Sequence, residues 1–522
     1  MTSLRRRPAR LSVSALATGL AIAVAGCGGS SGSGNSNADP ATIAPAASAL
    51  YASAVIRPEG DQKAAIESIA RKFGVNDPGR AIERALDRST RRGSKTNFKD
   101  DIKPWLGKRA ALVLTNFNGR NPDGAVIVAT MDTGKAKDAI RKDQQGHRVE
   151  QRSYRGVDYD VDTSGGRDTP EGIVRGFAVV GLTEAGYKAV IDASKGKSIT
   201  GSGDFRQARQ RGEGKLGFAY LDLKGTLGGL ASSGQLGSQA QGLQILLGGA
   251  TPRSVVATLE AQSDRVTLEF ATAATAASTG LSGQTPLVAA LPGDAWAALG
   301  VRNLGPGIKQ LFNTIGSGLG GAVLTGAQNQ LQRQYGIDLQ RDVFAAIGDV
   351  AAFTRGTSAL TVGGGVVIQS PSPAAARRLI SKLGALVRRQ GAAQGVRVSS
   401  TSIAGASGIK VTARRLPGAI NAVVKGNKFV IAYGDPATED ALSPSSKLGD
   451  AGGFKAAIEA LGGASPSLYV AFAPILSLAD SVSSNSASYK QARPYLAAID
   501  TFAIGGRKDG NLQVARVVVS VK

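Results

Sequence analysis

Apolar and polar residues alternate in short stretches along most of this chain, which is the pattern of half-buried β-strands. The first stretch contains Leu50, Ala52, Ala54 and Ile56. Later stretches follow short turns with Gly or Asp, as in β-hairpins. Helical spacing is rarer and predicts a helix over Asp61–Phe73. Because helices stand singly between groups of strands, the pattern predicts an α+β fold whose mostly antiparallel sheets carry helices on one face.

The order of these elements occurs twice along the chain. The matching stretches are Asp101–Gly107 with Asp342–Gly348, Gly124–Ala129 with Gly364–Ile368, and Asp204–Phe205 with Gly453–Phe454. Repeats of roughly 20–50 residues form solenoids, whereas this offset of about 240–250 residues is a whole domain. We therefore predict two homologous domains in tandem.

Composition places the boundaries of these domains. The two repeats cover residues 45–274 and 290–522, and a linker rich in Ala, Ser, Thr and Gly covers residues 275–289. Residues 1–26 form an export signal, and residues 27–44 form a Gly/Ser-rich tether. Each repeat is predicted to be a mostly antiparallel sheet with helices packed on it.

The N-terminal stretch predicts how the protein is held in its compartment. Four arginines precede Leu11–Ala25, an apolar stretch shorter than the roughly 20 residues of a membrane-spanning helix, which fits an export signal. Val24, Ala25 and Gly26 lead to Cys27, the only cysteine. This arrangement resembles the bacterial lipobox, which implies removal of residues 1–26 and a lipid anchor, with acyl chains such as palmitate, on Cys27. The alternative is an ordinary secretory signal with a chance cysteine.

A lipidated Cys27 places the protein at the extracytoplasmic face of the cell membrane. A flexible Gly/Ser-rich tether of this length gives the folded part a reach of about 20–25 Å from the anchor. One acyl chain binds a membrane reversibly, whereas two or more hold a protein stably. The sequence does not indicate which leaflet or membrane holds the anchor.

Charge and composition limit the classes of partner. The formal net charge is +23, which favours anionic partners such as lipid headgroups or acidic wall polymers. Nucleic acid is a poor partner, because only 5% of the residues are aromatic and the basic clusters are not interleaved with side chains that stack on bases. The sequence predicts no cofactor and leaves the oligomeric state open.

Several short segments resemble a known family. They are Leu50-Tyr51-Ala52, Arg57–Asp61, Ile102–Gly107 and Asp123-Gly124-Ala125. Together they are similar to bacterial envelope proteins that carry domain of unknown function 3352, and the resemblance runs over most of the chain. It implies an exported or membrane-attached protein. It implies no activity, because the family has no assigned catalytic residues.

Side chains that support catalysis or metal binding are sparse. His147 is the only histidine and stands in a polar loop before a predicted strand. This position argues against a Ser-His-Asp triad and against a transition-metal site. We therefore predict no catalytic residues, no metal site and a protein that is not an enzyme.

Three aspartates are candidates for binding. Asp158, Asp160 and Asp162 alternate, so their carboxylates share one face of a strand. Thr163 and Thr169 stand where a calcium-binding loop needs glycine and glutamate. An exposed acidic edge is therefore favoured over a calcium site.

Two further candidates, Arg57 and Asp61, lie where the first strand leads into the first helix. Pro58 and Gly60 between them indicate a turn. Asp61 is predicted to be the N-cap of the helix, since a carboxylate there accepts hydrogen bonds from free backbone N–H groups.

These features predict a membrane-anchored extracytoplasmic lipoprotein that binds or scaffolds a component of the cell envelope without catalysis. The alternative is a carrier of lipid or another amphiphile in an apolar cavity, with the glycine-rich segments 226–249 and 304–326 as mobile covers. An enzyme that acts through carboxylates and serines requires acidic pairs that converge in space.

Overall fold

The structure, a computed structural model, describes most of the chain from residue 34 onward. The described ranges are 34–91, 94–117, 122–223, 225–226, 253–273, 285–309, 321–358, 361–391, 395–414, 416–483 and 486–522. These residues belong to two compact units, the first ending at Ala273 and the second beginning at Thr285. The predicted signal, most of the linker and most of the two glycine-rich segments lie outside the described residues. The predicted domain boundaries stay predictions.

The predicted tether does not reach residue 44. The Gly34 N–H donates a hydrogen bond to the Met131 carbonyl at 3.1 Å. Ile43 is buried in a short 3₁₀-helix, Pro40–Ile43, that belongs to the first unit. Residues 34–37 are polar and are held by backbone hydrogen bonds, such as that from the Lys108 N–H to the Ser36 carbonyl at 2.7 Å. From Pro40 onward, burial of apolar residues favours packing over a free chain.

The first unit contains one antiparallel sheet, with ten strands among the described residues. The strands are β1 (Leu50–Val55), β2 (Leu106–Leu114), β3 (Gly124–Thr130), β4 (Val149–Tyr154), β5 (Val157–Asp162), β6 (Thr169–Val174), β7 (Phe177–Gly181), β8 (Gly217–Asp222), β9 (Ser254–Gln262) and β10 (Arg265–Ala273). Their order across the sheet is β4-β5-β6-β7-β3-β2-β1-β8-β9-β10.

The described part of the second unit contains ten strands in the same arrangement. They are β11 (Ala297–Val301), β12 (Val350–Arg355), β13 (Gly363–Gln369), β14 (Val396–Ile403), β15 (Ala406–Ala413), β16 (Ile420–Lys425), β17 (Lys428–Tyr433), β18 (Pro466–Ala471), β19 (Ile499–Asp509) and β20 (Leu512–Val521). Their order is β14-β15-β16-β17-β13-β12-β11-β18-β19-β20, all antiparallel. The α+β class is confirmed.

Helices connect the groups of strands in both units. The first unit contains α1 (Gly60–Lys72), α2 (Pro78–Arg91), α3 (Thr133–Asp143), α4 (Glu184–Lys195), α5 (Gly203–Gln210), a π-helical turn (Phe98–Ile102) and a 3₁₀ turn (Ile199–Gly201). The second contains α6 (Gly321–Tyr335), α7 (Pro373–Gly391), α8 (Asp435–Leu442), α9 (Gly452–Ala460), α10 (Phe472–Ser483), α11 (Ala487–Ala498), a π-helical turn (Leu339–Phe344) and a 3₁₀ turn (Leu448–Asp450). Within the described residues, no helix has both the length and the apolar character to cross a membrane.

Helices pack on both faces of the sheet, not on one. Val423 of β16 shares a buried cluster with Ala437 of α8, whereas the next residue, Val424, shares another cluster with Leu379 of α7. Successive strand residues point to opposite faces, so α7 and α8 cover different faces. The one-face prediction is wrong because it did not weigh strands such as β3, which is buried at every residue as strands covered on both faces are.

The same aromatic contact stabilises the core of each unit. The rings of Phe205 in α5 and Tyr220 in β8 meet edge to face with centroids 5.5 Å apart. The rings of Phe454 in α9 and Tyr469 in β18 meet edge to face at 5.2 Å. The sequence pattern pairs Phe205 with Phe454, and the structure places both in the same contact of the same topology.

Candidate functional site

A cavity of about 100 Å³ lies in the first unit, between α3, the π-helical turn and one face of the sheet. Thr96, Arg167 and Thr169 contribute polar groups to its lining. The remaining walls are apolar and include Ile102, Trp105, Val126, Val128, Ala139, Ile140, Ala178, Val180 and Leu182. An apolar cavity of about 150 Å³ holds one benzene molecule. This smaller cavity therefore has room for a short alkyl chain or for part of a ring whose remainder lies outside.

Small side chains on two facing elements create this space. Asp132 caps α3 by accepting a hydrogen bond from the Lys135 N–H at 3.0 Å, which stabilises the start of the helix. Ala139 lies on the buried face of α3. Ala178 lies on β7, opposite Val128 of β3. Both alanines leave volume where a larger side chain would fill the core.

The corresponding positions in the second unit carry larger side chains. Ala178 and Phe429 are each the second residue of the matching strands β7 and β17. Ala139 and Leu379 occupy the same turn of the matching helices α3 and α7. Phe429 is 1% exposed and packs in one cluster with Leu379, which is 6% exposed. The cavity in the first unit therefore depends on two alanines that the shared fold does not require.

A buried carboxyl group lies beside the cavity. Glu171 of β6 is 4% exposed, stands in register with Val180 of the cavity wall and accepts a hydrogen bond from Gln144 Nε2 at 2.8 Å. Burial is the main cause that raises the pKa of Glu171 to about 8. The bond from Gln144 opposes this shift, and the charges of Asp143 and other aspartates nearby add to it. Glu171 is therefore mostly protonated at neutral pH.

The second unit replaces this polar row with apolar residues. In the first unit the row across β5, β6 and β7 is Asp160, Glu171 and Val180. In the second unit the row across β15, β16 and β17 is Ile409, Ala422 and Ile431. These three residues pack against a buried apolar cluster. The buried acid is a property of the first unit and not a requirement of the fold.

His147 and Asp162 form a second polar contact near Glu171. Nδ1 of His147 lies 2.7 Å from Oδ2 of Asp162. Burial tends to raise the pKa of Asp162, but hydrogen bonds from Ser164 and His147 outweigh it and lower that pKa below its ordinary value. Two neighbouring carboxyl groups therefore have pKa values displaced in opposite directions, which lets one hold a proton while the other is ionised.

A comparison with known families decides which family this chain belongs to. The sequence profile described as "Protein of unknown function (DUF3352)" matches residues 11–511. The chain belongs to this family. The resemblance drawn from the short segments is confirmed, and the family description assigns no catalytic class to this DUF3352 protein. No curated protein matches the chain.

Three crystal forms of TP0453 are among the solved structures similar to part of this DUF3352 protein. Forms IV, I and III are 11%, 9% and 9% identical, with TM-scores of 0.25, 0.25 and 0.24. The matches cover 45%, 46% and 46% of this chain and 80% of each TP0453 chain. At this TM-score the likeness carries no argument about function.

The three predicted aspartates lie on β5, but not at an edge of the sheet. β5 pairs with β4 on one side and with β6 on the other. Asp158 is exposed, whereas Asp160 and Asp162 are half-buried. The acidic-edge prediction is wrong because β4 lies outside β5. The structure brings Asp160 and Asp162 near Glu171. Glu171 was not singled out from the sequence, although this acidic residue stands between a proline and a glycine in a mostly apolar strand.

Arg57 and Asp61 do not join this site. Arg57 is 8% exposed, and its Nη1 donates to the Leu106 carbonyl at 2.7 Å, so the side chain ties two segments of the core together. α1 begins at Gly60 with Glu59 as its N-cap, so the prediction that Asp61 is the N-cap is wrong. Asp61 instead lies in the first turn, where its negative charge interacts favourably with the positive end of the helix dipole.

The predicted lipobox, Val24, Ala25 and Gly26, lies outside the described residues, as does Cys27. Among the residues that the structure describes, no group of three or more His, Cys, Asp or Glu side chains is arranged to hold a metal ion.

Proposed function

We propose that this protein is an extracytoplasmic lipoprotein, anchored through Cys27, whose first unit binds a small ligand by an apolar group. The observation that supports binding is the apolar cavity between α3 and the sheet. Small-molecule sites are concave and mostly apolar, with a few polar groups that set orientation. The cavity has that composition, with Thr96, Arg167 and Thr169 as its polar members.

The difference between the two units supports a role in binding over a packing defect. Both units have the same strand order, yet only the first carries Ala139 and Ala178 where the second carries Leu379 and Phe429. Native cores are close-packed, and space within them costs stability. Retained space next to a polar row is therefore better explained by a ligand than by the fold.

The cavity favours the carrier alternative over a purely scaffolding role, and its size sets a limit on the ligand. About 100 Å³ accommodates a short chain or part of a ring, so a whole lipid would have most of its length outside. The net charge, +23 for the whole chain and +19 without the four arginines of the signal (23 − 4), remains a reason to propose anionic envelope components as further partners of the surface. The family description indicates no catalytic class, and we propose binding without catalysis.

The test uses α-methylstyrene, an apolar compound with one aromatic ring, and the chain without its signal and Cys27. Calorimetry should show one binding site, and the thermal unfolding midpoint should rise with probe concentration because the ligand binds only the folded state. The triple variant Trp105→Ala/Ala139→Leu/Ala178→Phe carries the side chains that the second unit has as Ala346, Leu379 and Phe429. It should fold and lose binding about tenfold or more. Equal binding by this variant, or no binding by the folded wild type, would overturn the proposal.

A further inference from the structure

Trp105 lines the cavity and is 4% exposed. Its indole nitrogen, Nε1, is buried and has no hydrogen-bond acceptor among the described residues. Buried polar groups are nearly always paired in native proteins, and an indole N–H has only the capacity to donate. Trp105 therefore brings an unused donor to the wall of an apolar cavity, and a ligand that offers an acceptor there would pair it.

The polar neighbours in the wall do not supply an acceptor to Trp105. Ser94 Oγ donates its single proton to Asp143, so it accepts the proton of the Thr96 hydroxyl, 2.5 Å away. The Thr96 N–H also donates to Ser94 Oγ, at 3.0 Å. This chain of bonds fixes Thr96 toward Ser94 and leaves the Trp105 N–H outside it.

The second unit indicates that the fold does not require tryptophan here. Trp105 follows Asp101 by four residues, and Ala346 follows the matching Asp342 by the same number. Ala346 is fully buried in the apolar cluster that contains Leu379 and Phe429. The first unit thus combines a large side chain that has a donor with two small side chains that leave space beside it.

We infer that the ligand of this cavity carries a carbonyl-type oxygen next to its apolar group and that Trp105 Nε1–H donates a hydrogen bond to that oxygen. This inference rests on the proposed function and adds the chemical class of the ligand: a ketone, ester or acid with a short apolar chain or ring. The indole N–H has no acceptor capacity, so Trp105 selects for a ligand oxygen that accepts a hydrogen bond and not for a group that only donates one.

The test compares acetophenone with α-methylstyrene, which has the same shape but carries a methylene group in place of the carbonyl oxygen. The affinities of the wild type and of Trp105→Phe are measured for both probes by calorimetry. The ratio of the two dissociation constants should change about 3- to 10-fold between the proteins in favour of acetophenone in the wild type. Using the ratio cancels the extra space that phenylalanine leaves, because that space affects both probes.

A spectroscopic readout separates hydrogen bonding from packing. The chain has two tryptophans, Trp105 and Trp296, and the Trp296 Nε1–H already donates to the Gly356 carbonyl at 2.8 Å. Two indole N–H resonances are therefore expected in ¹⁵N-labelled protein, and Trp296→Phe assigns them. Acetophenone should shift the Trp105 resonance downfield and leave that of Trp296 unchanged, whereas α-methylstyrene should cause no downfield shift.

The outcomes distinguish the two proposals. Binding of both probes with an unchanged ratio in Trp105→Phe, or with no downfield shift, overturns the inference about the carbonyl oxygen and leaves the cavity as a binding site. Binding of neither probe by the folded wild type overturns the proposed function itself. If Ala178→Phe binds acetophenone as tightly as the wild type does, the ligand binds outside the cavity, and both the proposed function and the inference about the carbonyl oxygen are overturned.

Discussion

Lys382 donates a hydrogen bond to the carboxylate of Asp342, whose side chain is 1% exposed, and Lys142 does the same for Asp101 in the first unit. In each case the aspartate lies in the π-helical turn and accepts a bond from the backbone N–H four residues earlier. Burial alone would raise the pKa of each aspartate, but these bonds outweigh it and lower the pKa below its ordinary value.

Removing Lys382 should destabilise the protein more than removing Lys142. Lys382→Met leaves Asp342 buried without the cation that donates to it, while Arg378 stays 3.7 Å away, and should cost about 2–3 kcal/mol in the free energy of unfolding. Lys142→Met should cost about 1 kcal/mol, because Asp101 is more exposed. Urea unfolding measures both. The double variant Asp342→Asn/Lys382→Met should recover part of the loss, and equal costs for the two lysines would contradict this reading.

Opening the second unit should reproduce the space found in the first. Phe429→Ala removes a ring that is 1% exposed and should cost about 3–5 kcal/mol, from lost apolar burial and the cavity left behind. Saturating α-methylstyrene should raise the thermal unfolding midpoint of Phe429→Ala by more than it raises that of the wild type. The control Phe270→Ala removes a ring that is 38% exposed, and it should change stability far less and leave the response to the probe as in the wild type.

Stability should fall as the pH rises through the range in which Glu171 titrates. Its pKa is raised from 4.5 to about 8, so the folded protein binds this proton more tightly than the unfolded chain. The contribution is complete below about pH 4.5 and is lost toward pH 8, with a slope of at most about 1.4 kcal/mol per pH unit. Thermal unfolding between pH 5 and pH 8 measures it.

Glu171→Gln should flatten this pH dependence, since the amide oxygen still accepts the bond from Gln144 but does not titrate. Glu171→Ala should flatten the pH dependence too. Alanine is the residue at the matching position of the second unit, Ala422. A slope that persists in both variants would assign the pH dependence to other groups.

Arg57 should prove structural and not part of the binding site. Its guanidinium donates to the Leu106 carbonyl and also lies 3.2 Å from the sulfur of Met131. Arg57→Ala should cost about 2 kcal/mol, because it leaves a buried carbonyl without its charged donor. The affinity for α-methylstyrene, measured well below the unfolding midpoint, should stay unchanged. A loss of affinity in a folded variant would return Arg57 to the list of binding residues.

Cys27 should determine membrane attachment. In cells grown with labelled palmitate, the wild type should incorporate label and sediment with membranes, because two or more acyl chains hold a protein stably. Cys27→Ala should incorporate no label and be released from the membrane fraction. Equal labelling of both proteins would sink the lipoprotein proposal, and Cys27→Ser is the control that keeps the size of the side chain.

The fold class was predictable because alternation and turn residues are local signals. The repeated order of elements was visible for the same reason. Asp101 and Asp342 begin matching segments, and each pairs with a lysine at the matching position, Lys142 and Lys382. The second layer of helices was not predicted, since it depends on which strands meet in the sheet. β3 and β7 are neighbours although more than forty residues separate them along the chain.

The candidate site was mostly hidden from the sequence. In the sequence, Ala139 and Ala178 look like ordinary core residues. Only the fold shows that both line the same cavity. Glu171 gains its significance only from burial and from the neighbours that the strand pairing brings to it. Comparison of the two repeats held a usable signal, because a glutamate in one strand and an alanine in the matching strand indicate a difference in environment.

The first unit has kept its cavity at a cost in stability. At about 24 cal/mol for each Å³, a space of about 100 Å³ costs on the order of 2 kcal/mol, a substantial share of the 5–15 kcal/mol typical of a folded domain. The same chain also encodes a filled arrangement, because the second unit has Leu379 and Phe429 in the equivalent space, with Ala346 in place of Trp105. Where two units of one chain share a strand order, a loss of stability confined to one of them points to a use for the space that it leaves open.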